Sequence, residues 1–137
     1  MILVDTNVWS ELVKSVPDPA VLAWEQVNAE RLWLSTVVVG EFLSGVTLMP
    51  EGRRKHALRA TYDDVIALYR DRIAPFDLAA ALRYAEVLAH QEGAGRNPGT
   101  ADTQIAATAL ARGMTLATRN TRDFAGLGLD LVDPWRA

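Results

Sequence analysis

Cysteine is absent from this chain of 137 residues, which excludes a disulfide framework and any thiolate metal site and fits a reducing compartment. Net positive charge is missing too. A formal charge of -3 and a pI near 5.3 argue against a protein that coats nucleic acid by bulk charge. They leave room for a local basic rim around an acidic, metal-filled centre. No apolar run reaches membrane-spanning length, because charges interrupt every one. The N-terminus lacks a basic segment followed by a long apolar core, so no secretory signal is expected and the expected location is cytoplasmic.

What is present is globular. Half the residues are apolar and 23% are charged, and the length suits one domain spanning residues 1–137. Three apolar residues, Ile2-Leu3-Val4, run straight into Asp5-Thr6-Asn7, the pattern of a buried parallel strand whose carboxyl end opens into a site. Val8 to Val13 reads as a first short helix. Asp18-Pro19 starts a second, with aspartate as cap and proline in the first turn, and Val21, Leu22, Trp24 and Val27 as its inner side. Arg31 to Ser35 is the next strand. Thr36 to Leu48 reads as a helix apolar almost all round, hence buried, interrupted by Glu41. Leu58, Tyr62, Val65, Ile66 and Tyr69 recur at helical spacing behind a basic start. Ile73 to Phe76 is a short strand. Asp77 caps an alanine-rich helix with Leu78, Leu82, Ala85 and Leu88 inward and Gly93 at its end. A breaker-rich loop, 93–99, leads to a helix capped by Thr100 and ended by Gly113, with Asp102 on its buried face. Thr115 to Thr118 and Leu129 to Val132 complete the strands. Strands alternating with helices predict an α/β domain around a mostly parallel sheet.

Asp5, Glu41, Asp102 and Asp123 each follow a strand or lie early in the element after one. In a parallel sheet with right-handed crossovers such positions gather at one edge. Four carboxylates in one crevice repel unless a cation lies between them. Oxygen donors without histidine or cysteine suit Mg2+ or Mn2+ rather than zinc. Such a centre polarises a phosphodiester and activates water. Singly, each acid also reads as a helix cap or surface ion.

These residues carry a resemblance. Met1 to Asn7, Thr36 to Phe42, Thr100 to Ala106 and Ala117 to Phe124 are similar to the four acidic motifs of the PIN-domain ribonucleases, among them the VapC and FitB toxins of bacterial toxin–antitoxin pairs. Pro50-Glu51-Gly52-Arg53-Arg54 and the Pro134-Trp135 ending resemble the FitB branch. Asn97-Pro98-Gly99-Thr100 departs from the pattern, being more broken before the third acid. The resemblance implies a three-layer α/β/α sandwich and a magnesium-dependent endoribonuclease. It also implies a homodimer silenced by a small antitoxin that inserts into the active site. Asp5, Glu41 and Asp102 would be the principal metal ligands, with Asp123 completing the pocket. Thr6, Asn7, Thr118 and Asn120 would orient carboxylates or water. Arg96, Arg119 and Arg122 are the arginines placed to meet RNA phosphates.

A haloacid-dehalogenase-like phosphatase is set aside, because Asn7 stands where its second acid belongs. Only Lys14 and Lys55 exist, neither placed as its lysine. The remaining alternative is a PIN-like module that binds RNA or protein without cutting, and the presence of all four acids speaks against it.

Overall fold

In the computed structural model, which describes residues 1–97 and 99–137, the chain alternates strands and helices around one parallel sheet. The strands are β1 (Ile2–Val4), β2 (Leu32–Ser35), β3 (Ile73–Ala74), β4 (Thr115–Ala117) and β5 (Leu131–Val132), in the order β3-β2-β1-β4-β5. All four pairings are parallel. β1 is therefore central, and the chain's first move from it goes one way along the sheet while β4 and β5 extend the other way. That reversal opens a crevice at the carboxyl end of β1. Consecutive strand residues face opposite sides of a sheet, yet Ile2, Leu3 and Val4 are all buried, so both faces are covered. The three-layer expectation holds.

The helices are α1 (Thr6–Leu12), α2 (Pro19–Asn28), α3 (Thr36–Thr47), α4 (Arg53–Leu68), α5 (Leu78–Gly93) and α6 (Thr100–Arg112). Side-chain oxygens start four of them: Asp5 for α1, Asp18 for α2, Ser35 for α3 and Asp77 for α5 each accept a backbone N–H of the first turn. Gly113 ends α6 in the left-handed conformation, with φ of 64°. α6 is buried nearly all round, with Thr103 and Ile105 through Ala109 in the interior, and α5 packs along it.

Four details depart from expectation. Gly99 caps α6, and Thr100 is its first helical residue. Val21 and Trp24 are the inner side of α2, while Val27 is 84% exposed and Leu22 is also exposed. α3 fully buries only the stripe Val38, Phe42 and Val46, one turn apart, with Val37 and Val39 half-buried beside it, while Glu41, Ser44 and, just past its end, Leu48 are exposed. In α5 the inward residues are Ala80, Val87 and Gln91, with Leu78 at 75% and Leu82 at 66% exposure on the other face. α5 carries small and apolar residues on both faces, so spacing alone selected the wrong one. Pro98, within the break noted before the third acid, lies outside the described residues.

The core rests on the central strand. Leu3→Ala, deleting a fully buried side chain, is expected to cost about 2–5 kcal/mol, whereas Val27→Ala is expected to stay within about 0.5 kcal/mol. Urea midpoints of the two variants check this; equal midpoints would contradict the burial pattern.

Candidate active site

Asp5 leaves the central strand still bonded to its neighbour, its N–H donating to the Ala117 carbonyl at 2.9 Å. The next residue begins α1, so its side chain is at once a helix cap and the floor of the crevice. One carboxylate oxygen accepts the Thr6 N–H at 2.8 Å and the other accepts the Thr118 hydroxyl at 2.8 Å. The capping and site readings of Asp5 are both true of one carboxylate, only 2% exposed.

Thr118 is fully buried just beyond β4, with its valence filled. Its single proton goes to Asp5, and its oxygen accepts the Asn120 N–H at 3.1 Å and the Asn7 amide at 3.4 Å. Asn7 in turn accepts the Arg119 N–H at 3.3 Å. Thr6 donates its hydroxyl to Glu41 Oε1 at 2.5 Å, so one residue links the first acid by its backbone and the second by its side chain. Thr6, Asn7, Thr118 and Asn120 thus form one network, Asn120 through its backbone.

Glu41 projects from the exposed side of α3. Asp102 is half-buried in the first turn of α6, where the helix dipole favours an anion. Burial, then repulsion from Glu41 and Asp123, nevertheless raises its carboxyl above the usual aspartate range. Asp5 is raised to about 6, chiefly by burial, with Asp102 and Glu41 adding repulsion against the lowering hydrogen bonds from Thr118 and Thr6. These mutual effects put the four acids in one electrostatic neighbourhood. Among the described residues no three of them close around a point as a finished metal cage. The centre is an open acidic cluster, and its all-oxygen donor set suits a hard divalent cation.

Asp123 sits exposed in the 3-10 turn Thr121–Phe124. That turn is held from α5 by a residue absent from the expected site. Gln91, 1% exposed, donates its amide to the Asp123 carbonyl, and its oxygen accepts from Arg96 at 3.3 Å. Arg96 also donates to the Ala125 carbonyl at 2.7 Å. Arg96 is therefore half-buried and engaged within the protein, bracing the turn that carries the fourth acid. A polar residue one helical repeat beyond Val87 was the available signal for Gln91, hidden by the misassigned face of α5. Arg119 and Arg122 line an open cavity of about 360 Å³ beside Asp123, together with Arg136.

Residues 2–128 match the PIN domain family. The chain belongs to that family. It is 43% identical to the VapC ribonuclease Y4jK of Sinorhizobium fredii, over 98% of both chains. It is 36% identical to the toxin FitB of Neisseria gonorrhoeae, over 98% of this chain and 99% of FitB. The crystal structure of FitAcB from Neisseria gonorrhoeae superposes with a TM-score of 0.90 at 35% identity, covering all of both chains.

The raised Asp5 carboxyl fixes a pH dependence for this PIN domain. The folded state holds a proton that the unfolded chain releases near pH 3.8, so Asp5's contribution to stability is lost as pH rises from about 4 to about 6 and changes no further above. The full shift corresponds to about 3 kcal/mol in metal-free protein. Urea unfolding in EDTA at pH 4, 5, 6 and 7 should show this decline in wild type and a flatter profile in Asp5→Asn; parallel profiles would contradict it.

Proposed function

We propose that this PIN domain is the toxin of a toxin–antitoxin pair and acts as a metal-dependent endoribonuclease hydrolysing RNA phosphodiester bonds. The observation that carries the reading is the buried Asp5 at the sheet's reversal point, held by Thr118 and the Thr6 N–H and joined through Thr6 to Glu41. Burying a carboxylate among carboxylates is costly and serves no packing purpose, which favours a functional role. The names of the relatives, a ribonuclease and a toxin, support the same chemistry.

Asp5, Glu41 and Asp102 are the proposed principal ligands of Mg2+ or Mn2+, and Asp123 completes the acidic wall. Bound there, such an ion would neutralise the clustered charge and polarise the scissile phosphodiester. The protein's own contribution is orientation. Thr118 fixes one face of Asp5, Thr6 ties Asp5 to Glu41, and the Gln91–Arg96 brace holds the turn that presents Asp123. A protein partner would silence such a centre by inserting a cationic side chain among the acids. No described helix is long and apolar enough to cross a membrane, and the proposed action on RNA would be cytoplasmic.

With Mg2+ or Mn2+ the purified protein should cut RNA, and EDTA should stop it. Asp5→Asn and Asp102→Asn should each lose more than about a hundredfold in rate while remaining folded. Wild-type cutting by either variant would sink the metal-site assignment, and cutting by neither variant nor wild type would favour the binding-module alternative. Expressed alone the protein should arrest growth, and its antitoxin should relieve the arrest.

The exposed leucines of α5 motivate the proposed homodimer. Leu78 and Leu82 lie one turn apart on the solvent face, an apolar stripe that a second copy would cover. The double substitution Leu78→Glu, Leu82→Glu should convert a dimer to a monomer in sedimentation velocity. An unchanged sedimentation coefficient would place the interface elsewhere.

A further inference from the structure

An acidic cluster poses a problem for a nuclease, because RNA is a polyanion and this chain carries net charge -3. Something beside the acids must attract the phosphate backbone. Many of the cations are engaged elsewhere: Lys14 with Glu11, Lys55 with Glu51, Arg59 with Asp63, Arg83 with Glu86 and Arg112 with Asp77. Arg96 braces the Asp123 turn.

Three arginines instead converge on the 360 Å³ cavity that shares Asp123 with the acidic centre: Arg119, Arg122 and Arg136. Among the described residues Arg119 and Arg122 form no ion pair. Arg136 meets Asp133 only loosely, at 3.8 Å, with its side chain 88% exposed. The chain's C-terminal turn shapes this wall. Asp133 accepts the Trp135 N–H at 2.9 Å, fixing the turn, and the Arg119 guanidinium lies over the Trp135 ring, 4.8 Å from its centre. Stacking holds that guanidinium's plane without using its N–H donors, which stay available for a phosphate. The Pro134-Trp135 ending thus has a structural task that the acidic motifs do not explain.

We propose that this cavity is a backbone-phosphate subsite, in which Arg119, Arg122 and Arg136 grip a phosphate of the RNA flanking the scissile bond. The proposal rests on the ribonuclease reading and adds to it the place where the substrate strand leaves the acidic centre. Three guanidiniums outnumber the two carboxylates, Asp123 and Asp133, that share the wall. The ligand is recognised by charge and bidentate geometry, so the subsite is indifferent to base identity.

The test uses the full chain with Arg119→Gln, Arg122→Gln, Arg136→Gln and the triple variant. Cleavage of a fluorogenic single-stranded RNA is followed with Mg2+ between about 50 and 200 mM salt. Anisotropy of the same RNA sequence, synthesised as labelled single-stranded DNA with the same phosphates, reports binding independently of cutting. Each single substitution should raise KM roughly fivefold, and the triple about a hundredfold, with kcat within about twofold of wild type. The slope of log affinity against log salt should flatten by about 0.7 for each arginine removed. Arg136→Lys should recover most of the salt slope, since charge is its main contribution, whereas Arg119→Lys should not restore KM.

An unchanged KM and salt slope in the triple variant would overturn the subsite, as would a fall in kcat with KM unmoved. Arginines that leave nucleic-acid binding untouched but abolish capture by the antitoxin would make the cavity a protein-docking wall and likewise overturn it. If wild type cuts nothing while the triple variant loses DNA binding and salt dependence, the subsite stands and the nuclease reading falls.

Discussion

The Thr118 hydroxyl reaches Asp5 across 113 residues of chain and ties the two ends of the site together. It is possible because β1 and β4 are paired in parallel, Val4 opposite Ala117, so the residues that follow each strand emerge side by side. A carboxylate buried at that point would be costly without donors. Thr118 and the first N–H of α1 supply them, and each favours the charged form against the burial that opposes it. The remaining acids arrive around this fixed point, from the start of α6, from α3 and from the turn after β4.

That arrangement leaves the cluster charged and open. Burial first, and repulsion after it, raises both Asp5 and Asp102, so metal-free protein carries a folding penalty near neutral pH that the proposed cation would offset. An acid in the first turn of a helix normally gains from the helix dipole. Burial of Asp102 and the nearby carboxylates Glu41 and Asp123 act against that gain.

Much of this was legible in the chain. The strand-then-acid pattern of Ile2 to Asp5 and the caps at Asp18 and Asp77 are local signals that the structure keeps, whereas the expected cap Thr100 gave way to Gly99. The departure that matters most for the site is not local. α5 has apolar residues on two faces, and only packing against α6 decides that Ala80, Val87 and Gln91 go inward. Arg96 is another non-local case: a loop arginine near an acid suggests phosphate, but its partners are Gln91 and the Ala125 carbonyl, 29 residues downstream. Contacts between distant segments leave no periodic trace in sequence.

The brace and the arginine wall divide the labour of the loop that follows β4. On one side Gln91 and Arg96 hold its carbonyls, which fixes the backbone without consuming any charged group of the centre. On the other, Trp135 holds Arg119 by its ring face. A loop that must present an anion, Asp123, and cations, Arg119 and Arg122, within a few residues faces a simple hazard: its own charges neutralise one another. Among the described residues neither arginine pairs with Asp123, and for Arg119 the stack on Trp135 accounts for that. Holding the backbone from α5 and the Arg119 guanidinium from the C-terminal turn keeps that base apart from the acid. Under the proposed function, this separation lets one short turn attract metal on one side and RNA on the other.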